Sequence, residues 1–424
     1  MSGSDTLAIG QRAQGMIDAL ATISAEPDKL TRLFLSPEHK RAAALIGEWM
    51  RRAGLAVRMD AVGTMHGLLP AGTDGPRAAK RLLVGSHLDS VVDGGRFDGN
   101  LGVVAGIVAV EELGARGIAL PFALEILAFG DEEGVRYPKT LISSSAIAGT
   151  VDDSVLELTD AAGMTMRNAL AEFGADAEHI TSEAYNQADV LGYLEVHIEQ
   201  GPVLEQAGEP LGVVTSIASQ GRYRFTVRGE AGHAGTVPMA VRHDALAAVA
   251  EMMLAIEQMA KKGAKSSLVA TVGELRVSPG ASNVIPGSVE FSLDLRAADD
   301  EARVAAAIEI RAAIRQIGIR RGVVVGIETV HEKPVATCAP RLRKAIAAAI
   351  AGVTGSRPRE LMSGAGHDGQ SMIHLTDIGM IFVRCRAGIS HNPLEFVTVA
   401  DVGLAVEALI RTIIKIAGEG EPGP

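Results

Sequence analysis

Six side chains able to ligate a metal or move a proton stand in short, distinctive contexts. They are His87 in HLD (87–89), Asp98 in GGRFDGN (94–100), Glu132 and Glu133 in GDEEG (130–134), His197 in LEVHIEQG (194–201) and His391 in GISHNP (388–393). Taken singly, each has an ordinary reading. A histidine at a strand end is most often a hydrogen-bonded structural residue, an aspartate among glycines is a turn former, and an acidic pair is usually solvated. The acidic pair, however, follows LEILAFG (124–130), a run that should be buried. Carboxylates driven to the end of a buried strand need compensation, and a cation supplies it. Together the segments point to two divalent cations with a carboxylate bridging them. Such pairs sit roughly 3.5–4 Å apart, share a water, lower its pKa toward about 7 and polarise a scissile carbonyl. A separate carboxylate must then carry the water's proton to the leaving nitrogen, and adjacent glutamates can divide those tasks. Asp89 suits a supporting partner for the His87 imidazole.

The elements that position these residues are legible in outline. LLVGSH (82–87) and FALEILAFGDEE (122–133) read as buried strands, and LGVVAGIVAVEELGARG (101–117) as a helix with Gly114 and Gly117 as stops. LGYLEVHIEQG (191–201) alternates with period two, and residues from about 7 to 54 read as helices, with Leu33, Ala44, Leu45 and Trp49 at helical spacing. Strand–helix–strand with crossovers longer than about ten residues argues for a parallel-rich α/β sheet, in which ligands bind at the strand ends. Near residue 213 the pattern changes. GVVTSIASQGRYRFTVRGE (212–230) alternates, and after it come a helix (about 242–262), strands at 267–277 and 288–297, a helix (about 300–317) and a strand at 322–330. That order is β-α-β-β-α-β, the ferredoxin-like one. The expected organisation is a metal-binding catalytic α/β domain from residues 1–212 and 331–424, with 213–330 as an inserted α+β lid or dimerisation domain. The last part resumes with helices near 340–352 and 400–417 and a strand near 378–385. The tail GEGEPGP (418–424) is expected to fray.

Composition bounds the function classes. The 424 residues include 51 acids against 40 bases, a net charge of −11, which argues against nucleic acid or an anionic membrane surface as partner. Aromatics at 3% leave little for base stacking. The two cysteines, Cys338 and Cys385, form no C-x-x-C, so neither a disulfide scaffold nor a thiolate zinc site is expected, and a reducing cytoplasm fits. No signal peptide stands at the start, and the longest apolar stretch, Leu101 to Val110, is about half a membrane span.

HLDSVVDGGRFDGNLGV, FGDEEGVRYP, LEVHIEQGPVLE, GEAGHAGTVPM, SNVIPG, SGAGHDGQ and GISHNP together resemble the amidase (hydantoinase/carbamoylase) branch of the M20-type dinuclear metallopeptidase superfamily. The motifs run in order from residue 82 to about 397. The resemblance implies that His87 and His197 bind one ion and Glu133 and His391 the other, with Asp98 bridging and Glu132 as general base. It implies that His233, in GHAG, stabilises the tetrahedral oxyanion, that Arg296, in DLR, binds a substrate carboxylate beside Asn283 of SNVIPG, and that Gln200 lines the pocket. It also implies homodimerisation through the inserted domain. The two ions per subunit would be Mn2+ or Zn2+, with Co2+ or Ni2+ also suited to such ligands. His367 and Asp368, in GHDG, fit the pattern without a chemical role. Ser143 and Ser219 stand where relatives commonly carry glycine, and Gly369 where alanine is usual.

The branch cleaves a ureido C–N bond and releases a carbamate that decays to ammonia and carbon dioxide. GVRYP (134–138) and TRLFLSPEHKRA (31–42) resemble the allantoate enzymes, so allantoate amidohydrolase is the expected activity. An N-carbamoyl-L-amino-acid hydrolase or β-ureidopropionase is the alternative, and an M20-type peptidase or aminoacylase a more distant one. The substrate is in each ureido case a small anion.

Overall fold

A computed structural model describes residues 3–263 and 267–418; the tail expected to fray lies almost wholly outside them. The contact pattern divides the chain into two compact units, Met1–Thr215 with Thr337–Pro424, and Ser216–Ala336.

The first unit opens with helices α1 (Gly3–Ala21) and α2 (Pro37–Arg52). Strands β1 (Ala56–Met59), β2 (Met65–Leu69) and β3 (Arg81–His87) come next, followed by helix α3 (Asn100–Ala115) and strand β4 (Ala123–Phe129). Short helices α4 (Ile142–Ile147) and α5 (Met166–Phe173) lead to β5 (Val190–Ile198), α6 (Val203–Ala207) and β6 (Leu211–Ile217). In the second unit come β7 (Ser219–Arg228), β8 (Gly232–His233), α7 (Ala245–Lys262), β9 (Val269–Thr271), β10 (Leu275–Ser278), β11 (Val284–Ile285), β12 (Ser288–Ala297), α8 (Asp300–Arg321) and β13 (Val324–Lys333). Then β14 (Ala336–Thr337), α9 (Pro340–Thr354), β15 (Arg359–Ser363), α10 (Gly369–Met372), β16 (Ile378–Val383) and α11 (Val399–Gly418) complete the chain.

The large sheet runs β1-β2-β4-β3-β5-β16-β6-β14. Its centre, β4, β3, β5 and β16, is parallel, and antiparallel neighbours β2 and β6 flank it. The chain steps from β3 to β4 on one side and later to β5 on the other, so strand order reverses at β3, the topological position where α/β sheets open a ligand crevice. Helix α3 is buried on nearly all its sides, as an all-apolar run requires, and packs with α1 and α11 against the sheet. The alternation along β5 does not mark a solvent face, because all nine residues are buried. Leu194, Val196 and Ile198 join the main apolar core, while Tyr193, Glu195 and His197 point to a second, polar interior. Two buried faces of different polarity imitate one buried and one wet face.

The second unit is an antiparallel sheet, β10-β12-β7-β13, with β9 also on β12. Its core gathers Phe225, Phe291 and Leu295 under Val249, Ile310 and Ile314 of the two helices. Two expected strands are each divided. The run 212–230 breaks at Ala218 into β6 and β7, which join different sheets, and 267–277 breaks into β9 and β10. At that second break, Ser292 Oγ takes the Glu274 N–H at 3.0 Å and the Ser292 N–H reaches Glu274 O at 3.1 Å.

A buried charge cluster pins β2 to β4. His66 lies 2.9 Å from Glu125 and 3.1 Å from Asp60, and Glu125 also accepts from Tyr185 (2.8 Å) and Arg81 (2.8 Å). Burial opposes charge on His66, but the bonds to Asp60 and Glu125 overcome it and hold the imidazolium above its ordinary range. Burial opposes ionisation of Glu125 in the same way, and His66, Tyr185 and Arg81 bring it down to about 2. The His66 contribution to stability is therefore complete below about pH 6.5 and is lost as pH rises through the raised folded value. The Glu125 contribution is complete above about pH 4.5 and is lost as pH falls toward its folded value. In thermal melts, the Tm gap between the parent and His66→Gln should be widest at about pH 5–6 and narrow as pH rises through the raised folded value. A gap that widens with pH would reverse the sign.

Candidate metal centre

The six residues singled out above collect at one edge of the large sheet. His87 is the last residue of β3, Glu132 and Glu133 follow the end of β4, His197 is next to last in β5, and His391 follows β16. Asp98 sits in the glycine-rich loop that enters α3. Two of that loop's glycines are required by contact. A Cβ on Gly99, whose φ is +66°, would lie 2.5 Å from the His87 ring, and one on Gly95 would lie 2.2 Å from the Glu395 carboxyl carbon. Gln200 (φ 58°) and His391 (φ 53°) also hold left-handed backbone, a conformation that costs about 1–3 kcal/mol each and that the surrounding packing must enforce.

Asp98 is the hub. Its Oδ1 lies 3.0 Å from His197 Nε2 and 3.6 Å from His87 Nε2, and its Oδ2 lies 3.2 Å from His391 Nε2. Glu133 Oε2 is 3.4 Å from the same His391 nitrogen. Two groups able to hold an ion thus share Asp98, namely His87–Asp98–His197 and Asp98–Glu133–His391, each with donor atoms within 4.8 Å of one another. Glu132 Oε2 lies 4.0 Å from His87 Nε2, and His87, Glu132 and Glu133 form a further group of donors within 4.8 Å of one another, one that does not include Asp98.

The donor set fits cations. His87 Nδ1 meets the Asp89 main-chain carbonyl at 3.0 Å and His197 Nδ1 meets that of Ile198 at 2.9 Å. A carbonyl only accepts, so each Nδ1 donates to it, and each Nε2, facing Asp98, is the nitrogen at which an ion can take the place of a proton. Buried His197 Nε2 and Glu133 Oε1 have no hydrogen-bond partner among the described residues, as expected of atoms aimed at a shared third atom. The electrostatics agree. Burial, with Glu133, Asp368 and Asp89 nearby, holds Glu132 well above the carboxylate range, and burial with Asp98 pushes Glu133 up to about 7. Asp98, although buried, is drawn well below its ordinary value by the three histidines, and Asp98 raises His391 to about 9. Protons on these side chains stand where divalent charge can replace them.

Asp89 faces His87 Nδ1 with both its main-chain carbonyl (3.0 Å) and its Oδ1 (3.5 Å), and its Oδ1 and Oδ2 also take the N–H groups of Glu132 and Glu133, each at 3.2 Å. Gln200 donates to Asp98 Oδ2 (3.0 Å) and Ser390 Oγ (3.2 Å), so it braces the hub. Glu395, not singled out from sequence, accepts from the main-chain nitrogens of Phe97 (2.8 Å) and Asp98 (3.1 Å) and from Ser390 Oγ (3.0 Å). Glu195, buried two residues before His197 on β5, forms with His197 and His367 a further group of donors within 4.8 Å of one another, and a glutamate at that spacing in an apolar strand is a readable signal. His367 is wholly buried, its ring 4.4 Å from that of His197 and its Nε2 2.6 Å from Ser363 Oγ, so it packs behind a ligand. Among the remaining histidines, His39 and His66 are buried and His179 is exposed.

In the second unit, β8 pairs with β11 so that His233 faces Val284 and Asn283 O takes the Ala234 N–H at 3.0 Å. His233 and Asn283 are therefore neighbours, both exposed. Arg296, on β12, holds Asp294 through Nε (2.8 Å) and an η nitrogen (3.1 Å). Ser143 Oγ accepts the Gly130 N–H, Ser219 Oγ joins Asp300 and Arg303, and the Gly369 N–H reaches Glu195.

Known proteins resemble this chain over nearly its full length. Residues 83–415 match peptidase family M20/M25/M40. Allantoate deiminase 2 of Glycine max is 43% identical over 94% of this chain and 88% of its own. An N-carbamoyl-L-amino acid amidohydrolase of Geobacillus stearothermophilus is 40% identical over 97% and 99%. A hydantoinase/carbamoylase-family amidase from Burkholderia multivorans superposes with a TM-score of 0.90 at 30% identity, covering 97% of this chain and 98% of that one. Since these matches span the same strand-end loops that converge on Asp98, the chain belongs to peptidase family M20/M25/M40, among its hydantoinase/carbamoylase amidases.

Proposed function

We propose that the protein is a metal-dependent amidohydrolase that cleaves the ureido C–N bond of a small anion, with allantoate as substrate, releasing ammonia and carbon dioxide. The observation that carries the chemistry is the single Asp98 carboxylate shared by two histidine-containing groups. Two divalent cations held there, Mn2+ or Zn2+ in first place and Co2+ or Ni2+ as competent substitutes, would supply Lewis acidity that polarises a carbonyl and acidifies water. His87 and His197 would hold one, Glu133 and His391 the other.

The chain's own residues do the rest. Glu132, half-buried beside His87 and outside the Asp98 groups, receives the proton of the attacking water and passes it to the leaving nitrogen. His233 accepts the Gly235 N–H on Nδ1 at 3.0 Å, which leaves its proton on Nε2, ready to donate to a developing oxyanion. Arg296 binds the substrate carboxylate with Asn283 beside it, a reading supported by the guanidinium's two-point contact with the Asp294 carboxylate, the kind of planar partner a substrate carboxylate would also offer. Arg296→Lys should raise KM about tenfold or more with kcat little changed, because the charge stays and the fork goes. An unchanged KM would remove the clamp. Gln200 lines the site by bracing Asp98.

The deciding assay is ammonia release from allantoate and from a panel of N-carbamoyl-L-amino acids. Faster turnover of carbamoyl amino acids, with allantoate negligible, would reverse the order; the Geobacillus relative supports that second reading. Homodimerisation through the second unit is also proposed, supported by exposed Ile308, Ile319, Val324 and Val330 on α8 and β13. Both cysteines are free and buried, in keeping with a cytoplasmic location, and among the described residues no helix is long and apolar enough to cross a membrane.

A further inference from the structure

Arg32 is wholly buried, yet none of its hydrogen bonds goes to a carboxylate. Its Nε donates to the Leu88 carbonyl at 2.6 Å. One η nitrogen donates to the carbonyls of Leu20 (3.0 Å) and Ile23 (3.3 Å), and the other to Asn100 Oδ1 (2.5 Å). The main chain reinforces the grip, since the Arg32 N–H reaches Ser90 Oγ and the Ser90 N–H reaches the Arg32 carbonyl, both at 3.0 Å. Four residues past Ser90, the Gly94 N–H meets Leu30 O at 2.8 Å in an isolated antiparallel bridge. Segment 30–32 thus lies along 88–94 and is stitched to it.

The guanidinium reaches both ends of the single connection that carries β3 into α3. Leu88 stands between His87 and Asp89, and Asp89 carries the main chain of Glu132 and Glu133. Asn100 is the first residue of α3, two past Asp98, and its own amide closes the loop onto the Arg96 carbonyl at 3.2 Å. Only a planar cation with several fixed donors spans both at once; an ammonium is a single point. Burying such a group among neutral acceptors is expensive, and burial drags the guanidinium down to about 10. An apolar side chain would fill the volume at less cost if filling were all that was needed.

We propose that Arg32 is a positioning residue of the metal centre: its guanidinium sets the separation of the two ends of the β3–α3 connection, and so of the donors His87 and Asp98 that those ends carry. This rests on the metal reading above. The connection is long enough to let its ends part, and the hydrogen bonds through Arg32 tie them together, while Gly99 lets the chain pass close against the His87 ring.

The test is Mn2+ titration of chelator-stripped protein by calorimetry, with folding checked by circular dichroism, for the parent, Arg32→Lys, Arg32→Met, Asn100→Ala and Ile350→Ala. The last is a cavity variant on α9, buried and away from the centre, that controls for lost stability. Loss of a partner that orients metal ligands weakens affinity about 10–100-fold, and both Arg32 variants should do so, with a smaller weakening for Asn100→Ala and parental affinity for Ile350→Ala whatever its Tm. Parental affinity in Arg32→Lys overturns the proposal, since charge alone then suffices. Equal weakening in Ile350→Ala overturns it too, by making stability the cause. Should the Arg32 variants not fold, Asn100→Ala decides, and affinity within about twofold of the parent counts against it. A parent that binds neither Mn2+ nor Zn2+ would instead remove the metal reading itself.

Discussion

Glu132→Gln is expected to keep its full complement of metal and to lose about 10²–10⁴-fold in turnover, the range that a positioned general acid–base supplies. The two glutamates are adjacent in sequence but not equivalent in space. Glu133 reaches His391 at 3.4 Å and shares a donor group with Asp98, whereas Glu132 lies 4.0 Å from His87 and in no group with Asp98. Their main-chain nitrogens are both held by Asp89, so the backbone survives the substitution. Glutamine matches glutamate in size and removes only the capacity to take and give a proton. Burial and the neighbouring carboxylates hold Glu132 well above the usual range, which suits a group that must be protonated in one half of the cycle. The measurements are metal content by elemental analysis and steady-state rates on the best ureido substrate. More than a tenth of parental turnover at full metal content would strip Glu132 of the role. Loss of an ion in Glu132→Gln but not in Glu133→Gln would exchange the two assignments.

The second large effect is on Asp98. Asp98→Ala should reduce metal content below one ion per chain and leave no measurable hydrolysis, because one carboxylate serves both groups. It should also uncouple stability from metal. A ligand present at 1,000 times its Kd stabilises the folded state by about 4 kcal/mol, so chelation should lower the Tm of the parent and leave that of Asp98→Ala unchanged. Asp98 is also what makes protonated histidines favourable at the hub, with contacts of 3.0, 3.2 and 3.6 Å to three imidazoles. A parent whose melting is indifferent to chelator would sink the dinuclear reading, whatever its catalytic rate.

Much of this centre was legible in the chain, for a local reason. Each proposed ligand follows or ends an apolar run, or lies among glycines, and those signals act over a few residues: LLVGS before His87, LEILAFG before the glutamates, GG and G around Asp98. Parallel strands then deliver their ends to one edge of a sheet, so a set of strand-end donors implies convergence. The same locality explains the misreadings. Alternation in β5 reports two faces of differing polarity, and only tertiary packing shows that both are buried. A run of alternating residues such as 212–230 cannot announce that β6 and β7 belong to different sheets.

Partner choice is where sequence stops. That Asp98 is shared, that Asp89 supports the glutamates as well as His87, that Glu395 seats the Asp98 main chain from almost 300 positions away and that Arg32 ties the two ends of the β3–α3 connection are all facts of long-range contact. Nothing in PLEF or TRLF distinguishes those side chains from solvated ones. Residue types and spacing alone specified which atoms are able to bind cations and on which strand ends they lie, because strand and turn formation are governed by neighbours in the chain. Which of those atoms meet, and what holds them at ligating distance, was decided by the folded sheet, because a hydrogen bond depends on approach to within about 3 Å and chain spacing does not encode that distance.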